Sequence, residues 1–233
     1  MARKRTSRVW RVLRTAAFCI LALIALPYLI APFYAVGRPV STLMLWRNLT
    51  AQRVERIYTP LSQISPLVPL SVIVAEDGRF CTHHGIDFAE LRSALEQADD
   101  LDEMRGGSTI TQQVVKNLFL WGGRSYVRKA LEFPLALWID FVLGKRRIIE
   151  IYLNVAEWGP DGEFGIEAGA RAAFGKSARE LTRYQAALLA AVLPNPHDRN
   201  ARRPGPGLRR LAGLYVERAA RAEEVASCLR ATH

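Results

Sequence analysis

Acidic residues are nearly missing from the first 56 positions. Glu55 stands alone there against ten Lys and Arg, +9 locally, while the remainder holds 22 basic and 21 acidic side chains, +1, for a formal total of +10. A DNA- or RNA-binding domain carries its excess on the folded surface that meets phosphate. Here the excess surrounds an N-terminal apolar run, which argues against a nucleic-acid partner. Cysteine is scarce, at three. Cys19 falls within the apolar run, and Cys81 and Cys228 fit no metal or redox spacing. An oxidising compartment would permit those two to pair, but two unpaired, partly buried thiols are the expectation. No internal repeat, low-complexity tract or convincing period-two alternation is present, which excludes a solenoid and a substantial β-sheet. With 50% hydrophobic and 23% charged residues, disorder is excluded for most of the length. A chain of 233 residues holds one sizeable domain and an appendage, not two large catalytic domains, since domains cluster at roughly 100–200 residues.

Charge is absent altogether from Thr15 to Gly37, a run of 23 residues that includes Phe18, Ile20, Leu21, Leu23, Ile24, Leu26, Leu29 and Ile30. At ~1.5 Å per residue, ~20 helical residues cross a hydrocarbon core of ~30 Å. The stretch therefore reads as one spanning helix that Pro27 could kink. Arg3, Lys4, Arg5, Arg8, Arg11 and Arg14 precede it, and the positive-inside rule puts the N-terminus in the cytoplasm and everything after Arg38 outside. The competing reading is a cleaved signal peptide, whose apolar region usually runs to about 7–15 residues; no A-x-A ending stands near Ala31 to Ala35. An uncleaved anchor is favoured.

Downstream, 38–67 reads as a connector with a short helix around Leu43 to Val54, and helical signals follow one another from 68 onward. Arg146 to Glu157 suits a helix with Ile148, Ile149, Ile151, Tyr152 and Leu153 inward. Thr182 with Gln185 and Ser177 with Glu180 fit capping boxes, the first opening a run that Pro194 and Pro196 stop. A terminal amphipathic helix is expected from about Leu208 to Leu229. The expected organisation is a basic cytoplasmic tail (1–14), a transmembrane helix (15–37), a connector (38–67) and an all-α domain (68–233).

Three constellations carry candidate chemistry. The first, Glu76-Asp77-Gly-Arg-Phe80-Cys-Thr-His83-His84-Gly85-Ile-Asp87, follows the apolar run Val68 to Ala75. A carboxylate ending a buried segment loses hydration, and its pKa rises toward the range of a general base; the plainer alternative is the solvated end of a core helix. His83 and His84 are adjacent, share no helix face and have no third ligand in register, so hydrogen bonding is expected of them rather than metal binding. In the second, Gly106-Gly107-Ser108-Thr109-Ile110-Thr111-Gln112-Gln113-Val114-Val115-Lys116-Asn117, Thr109 and Gln112 form a capping-box pair. A helix starts here with backbone N–H groups that attract anions. Thr109, Gln112, Gln113, Lys116 and Asn117 fall on one arc, opposite Ile110, Val114, Val115 and Leu118; that arc is either a ligand face or a plain polar surface. In the third, Arg124 leads to Arg128-Lys129-x-x-Glu132. An i,i+4 ion pair between Arg128 and Glu132 is the simplest reading, yet Lys116 to Arg147 holds seven cations against Glu132 and Asp140. Trp121, Phe133, Leu137, Trp138 and Phe141 interleave with them, as suits a lipid headgroup region and a negatively charged, lipid-linked substrate.

Taken in order, these motifs resemble those of the membrane-bound peptidoglycan glycosyltransferases, the polymerase domain of bifunctional penicillin-binding proteins. Glu76-Asp77-x-x-Phe80-x-x-His83-x-Gly85-x-Asp87 matches the first family motif, Gly107 to Gln113 with Lys116-Asn117 the second, and Arg128-Lys129-x-x-Glu132 the third. Lys145-Arg146-Arg147-Ile148-Ile149-Glu150-x-Tyr152-Leu153-Asn154 matches the fourth. The likeness covers about Val72 to Pro196. With no room for a transpeptidase before residue 233, the monofunctional biosynthetic members are the nearest match. Ala173 and Gln185 depart from the family's usual aromatic and Glu.

The resemblance implies a lysozyme-like α fold with a small membrane-associated lobe, placed at the outer face of a bacterial inner membrane. It implies lipid II and the growing glycan chain as substrates, membrane lipids as surroundings, and leaves room for cell-wall or division proteins. It further implies Glu76 as the base that deprotonates an acceptor 4-hydroxyl, with inversion and a β-1,4 link, and Glu132 as a second essential carboxylate. Asp77, Phe80, His83, Ser108, Thr109, Gln112, Gln113, Lys116, Asn117, Arg124, Arg128 and Lys129 become substrate-binding candidates. No cofactor is required by it, although a divalent cation (Mg or Mn) at the pyrophosphate stays open. A lysozyme-like lytic glycosidase and a non-catalytic cell-wall scaffold are the alternatives.

Overall fold

A computed structural model describes residues 2–96, 107–123, 125–221 and 225–230. Helices dominate, as expected. In chain order they are α1 (Ala2–Ile30), α2 (Thr42–Leu49), α3 (Leu67–Glu76), α4 (Phe88–Glu96), α5 (Ile110–Phe119), α6 (Tyr126–Val155), α7 (Ile166–Phe174), α8 (Arg183–Val192) and α9 (Pro206–Arg221). Two strands of two residues each, β1 (Glu55–Arg56) and β2 (Glu163–Phe164), pair in parallel, Glu55 beside Glu163. So short a ladder leaves no periodic trace in sequence.

The core forms around α8, which is buried along Ala186 to Val192. Its alanines let α3 and α9, which also touch each other, pack closely against it. The Thr182–Gln185 capping box opens it, and the Ser177–Glu180 box opens only a 3-10 turn, Ala178–Glu180. α3 is apolar nearly all round and correspondingly enclosed. α5 lies along α6, which breaks at Gly144; a φ of 68° there is open to glycine and costly for other residues. The expected helix Arg146 to Glu157 is the second half of α6. The expected connector helix is shorter, ending at Leu49, and the terminal one stops at Arg221, with a separate 3-10 turn at Ser227–Leu229.

α1 starts well before the charge-free run, since Ala2 to Arg14 contains neither Pro nor Gly and Arg and Lys are good helix formers. Val9–Ala35 is the one stretch, among the described residues, long and apolar enough to cross a membrane. Its far end docks on the domain. Tyr28 lies 6.5 Å from the Trp138 ring and accepts its indole N–H at 3.0 Å, and Tyr34 stacks on Phe119 at 5.7 Å. Arg147 Nε donates to the Tyr34 carbonyl at 2.7 Å. The segment 38–67 is likewise clamped: Arg47 pairs with Glu157 at 2.6 Å, Tyr58 donates to Glu150 at 2.7 Å, and Asn154 exchanges two hydrogen bonds with the Thr59 backbone.

Cys81 and Cys228 form a disulfide, with Cα atoms 5.4 Å apart. This corrects the expectation of two free thiols. At a sequence separation of 147, no local spacing could have announced the bond; the fold brings the loop after α3 and the tail after α9 together.

Candidate active site

Each element of the site is set by a local rule. α3 runs apolar into the core and delivers Glu76 at its last turn and Asp77 just beyond it. Burial lifts the Glu76 carboxyl above its ordinary 4.5, and a hydrogen bond from Gln113 with the charges of Lys116 and Arg199 offsets this only in part. The Gln113 amide donates to Glu76 Oε2 at 2.9 Å and accepts from the Tyr152 hydroxyl at 3.0 Å.

Asp77 does something the sequence did not foretell. Its Oδ2 accepts the Ile110 backbone N–H at 2.9 Å, so the first turn of α5 is occupied by the protein's own carboxylate. The helix end expected to attract a ligand anion already has one. Thr109 and Gln112 complete the closure as the capping box, and the Thr109 hydroxyl donates to the Gly85 carbonyl at 2.6 Å. Both side chains are buried, and the Thr109 hydroxyl and Gln112 Oε1 are committed to this turn. Gly85 has φ +83°, and a Cβ there would come within 2.5 Å of the Ala136 carbonyl oxygen, so the loop touches α6 only because this position is glycine.

Phe80 is fully enclosed and edge-on to His83. His83 Nε2 sits 3.0 Å from both Asp77 oxygens. These two substrate-binding candidates therefore shape the loop from behind and do not face the groove. Asp87 caps α4 through the Glu90 N–H at 2.9 Å and pairs with Arg79 at 2.7 Å.

The groove itself, about 550 Å³, is lined by Glu76, Asp77, Arg79, Ser108, Thr109 and Arg218, among others. At its rim Lys129 Nζ donates to Ser108 Oγ at 3.0 Å. Lys129 also lies 3.3 Å from Glu132, whose other oxygen pairs with Arg128. Glu132 is only 2% exposed, so its carboxylate faces these cations and not solvent. Lys116 feels both Glu76 and Arg128; burial first, then Arg128, lowers its pKa. Burial, Arg128 and Lys116 together bring Lys129 down to about 8. Arg128 and Lys129 share the Glu132 carboxylate while Lys116 crowds both of them, an arrangement that favours a polyanionic guest. Asn117 is half-buried, its carbonyl accepting from Thr42 at 3.3 Å. Arg124 lies outside the described residues.

The donor set does not suit a resident divalent cation. Both Glu132 oxygens are taken by cations, and among the described residues no three His, Cys, Asp or Glu side chains converge as a metal would need.

Arg199, Tyr215 and Arg218, from beyond α8, also border Glu76 or its groove. Sequence reading missed them because nothing local marks a C-terminal Arg as facing a glutamate more than a hundred positions upstream. Tyr152 was read only as inward.

The transglycosylase family model matches residues 43–219. This chain belongs to that family. Its relatives include the biosynthetic peptidoglycan transglycosylases of Nitrobacter hamburgensis (59% identical over 220 residues, 94% of this chain and 97% of the relative) and Rhodopseudomonas palustris (59% over 223 residues, 96% and 94%). That of Rhizobium meliloti is 51% identical over 227 residues, 96% of each chain. The matched region begins within α2 and so takes in most of the clamped segment 38–67 as well as the four motifs.

Proposed function

We propose that this peptidoglycan glycosyltransferase polymerises lipid II into β-1,4-linked glycan with release of undecaprenyl pyrophosphate. The observation that carries the reading is a desolvated carboxylate, Glu76, bordering Lys116, whose other charged neighbour is Arg128. A base thus stands beside the edge of a cation cluster. A sugar hydroxyl is a poor nucleophile at neutral pH, and one correctly placed base with a raised pKa removes its proton as the bond forms. Attack from the face opposite the diphosphate inverts the donor anomeric carbon. The leaving diphosphate needs positive charge rather than a proton, and Lys116, Arg128 and Lys129 supply preorganised charge where negative charge develops. Glu132, enclosed between Arg128 and Lys129, serves as a positioning residue for them.

The same reading orients the molecule. A six-cation N-terminus before the spanning helix argues for a cytoplasmic tail, and the Cys81–Cys228 disulfide argues independently for an oxidising space around the domain, the periplasmic side of an inner membrane. Phe141, 82% exposed, with Leu137 and Trp121, offers apolar surface near the anchor's exit for the lipid to meet. We take 68–233 as the glycosyltransferase domain, 38–67 as its clamped connector, 15–37 as the anchor and 1–14 as the tail.

Incubating the full chain with labelled lipid II tests this. Polymer plus undecaprenyl pyrophosphate supports it; fragmentation of pre-formed glycan would indicate a lytic glycosidase, and neither product a scaffold.

A further inference from the structure

We propose that Tyr152 is a positioning residue for the transfer reaction: its phenol pins the Gln113 amide in the orientation that hands an N–H to Glu76, and so keeps Glu76 a carboxylate. The inference rests on the reading of Glu76 as the base.

The geometry is a three-residue relay from three helices. Tyr152 on α6 is 1% exposed, and its O–H donates to Gln113 Oε1 at 3.0 Å. Gln113 on α5 then has only Nε2 left to turn toward Glu76, at 2.9 Å from Oε2. A side-chain amide has one accepting and one donating end. Reversed, it would set Oε1 against the carboxylate, two acceptors with no proton between them, a contact acceptable only when Glu76 is protonated. The phenol keeps its proton, and with it the ability to donate, throughout the working range, because burial and then the charges of Glu76 and Asp77 raise its pKa well above 10. The adjacent glutamines thereby divide their labour: Gln112 closes the turn of α5 and Gln113 transmits the Tyr152 hydrogen bond.

The other groups that bear on Glu76 are Asp77 beside it, Lys116 on α5, Arg199 after α8 and Tyr215 on α9. Tyr152→Phe alters none of these, so a change in Glu76 titration reports the relay.

The test measures Glu76 titration in the full chain without substrate, by carbon-13 NMR of labelled glutamate carboxyls, with Glu76→Gln identifying the resonance. Lipid II turnover is followed separately. Losing one hydrogen bond to a charged group is expected to move the titration up by about one pH unit in Tyr152→Phe. In turnover, kcat should fall, by up to about tenfold, on the acid side of the Glu76 titration with KM little changed, and recover as pH rises. Because Tyr152 is buried, Gln113→Met, which leaves that ring intact, is measured alongside. It should shift Glu76 equally, and the double variant no further. Wild-type titration of Glu76 in Tyr152→Phe, or additive shifts in the double variant, overturns the proposal. A wild-type chain that made no polymer while the titration still shifted would remove the functional reading and support the relay.

Discussion

Asp77 accepts the backbone N–H of Ile110 at 2.9 Å. The residue that follows Glu76 on the chain thus seals the helix that carries Gln113 and Lys116, and the first two motifs become one rigid unit. Asp77→Ala removes this cap and leaves His83 Nε2 without its carboxylate. A lost cap costs about 0.5–2 kcal/mol. The expected outcome is a lower melting temperature together with a fall in kcat, since Glu76 and Lys116 lose their common reference. Asp77→Ala with unchanged stability and rate would show that the cap positions nothing.

The two ends of the pH profile belong to different groups. Glu76 must be ionised to act as a base, so kcat/KM should rise with pH through a value above 4.5. Lys129 must be protonated to meet a diphosphate, so activity should fall again as pH passes about 8. Lys129→Arg, which does not titrate in this range, should flatten the alkaline fall while leaving the acid rise in place. A pH series on both proteins checks it, and an alkaline fall identical in the variant would assign that limb to another group.

Burial makes Glu76 a cost to the folded state at neutral pH. Its folded pKa lies above the ordinary 4.5, so the native chain holds the proton more tightly. The group's contribution is most favourable below 4.5 and is lost as pH rises through the folded value. Glu76→Gln should therefore melt higher than wild type at pH 7 and lose most of that advantage near pH 4. Calorimetry at the two pH values measures it; an advantage that grew toward acid pH would mean that the carboxyl is not desolvated.

The disulfide ties the loop behind Glu76 to the C-terminal tail. A disulfide typically stabilises by about 2–4 kcal/mol. Cys228→Ser should lower the melting temperature, and a reductant should lower that of the wild type to about the same point but leave the variant unmoved. Equal sensitivity of both proteins to reductant would show that Cys81 and Cys228 are not joined.

Local signals carried furthest. Three capping boxes, the burial of Glu76 and the apolar anchor are all read within a few residues, because each depends on neighbours in sequence. Thr109 and Gln112 are legible as a cap, which Thr109 Oγ1 and Gln112 Oε1 form. Phe80 and His83 were assigned to substrate for their place in a motif, whereas burial and Asp77 claim them. Beyond reach were pairings made only by tertiary approach: Asp77 with Ile110, Tyr152 with Gln113, Cys81 with Cys228, and β1 with β2. None has a periodicity, and each joins segments whose spacing in the chain is arbitrary.

In the proposed reaction a single glutamate removes the acceptor's proton beside cations that receive the diphosphate. Turnover of labelled lipid II by the wild-type chain and by Glu76→Gln, both confirmed folded by their melting curves, tests it most directly. Polymer and undecaprenyl pyrophosphate are expected from the wild type, with a loss of at least about 100-fold in the variant. Polymer from Glu76→Gln at the wild-type rate would contradict it.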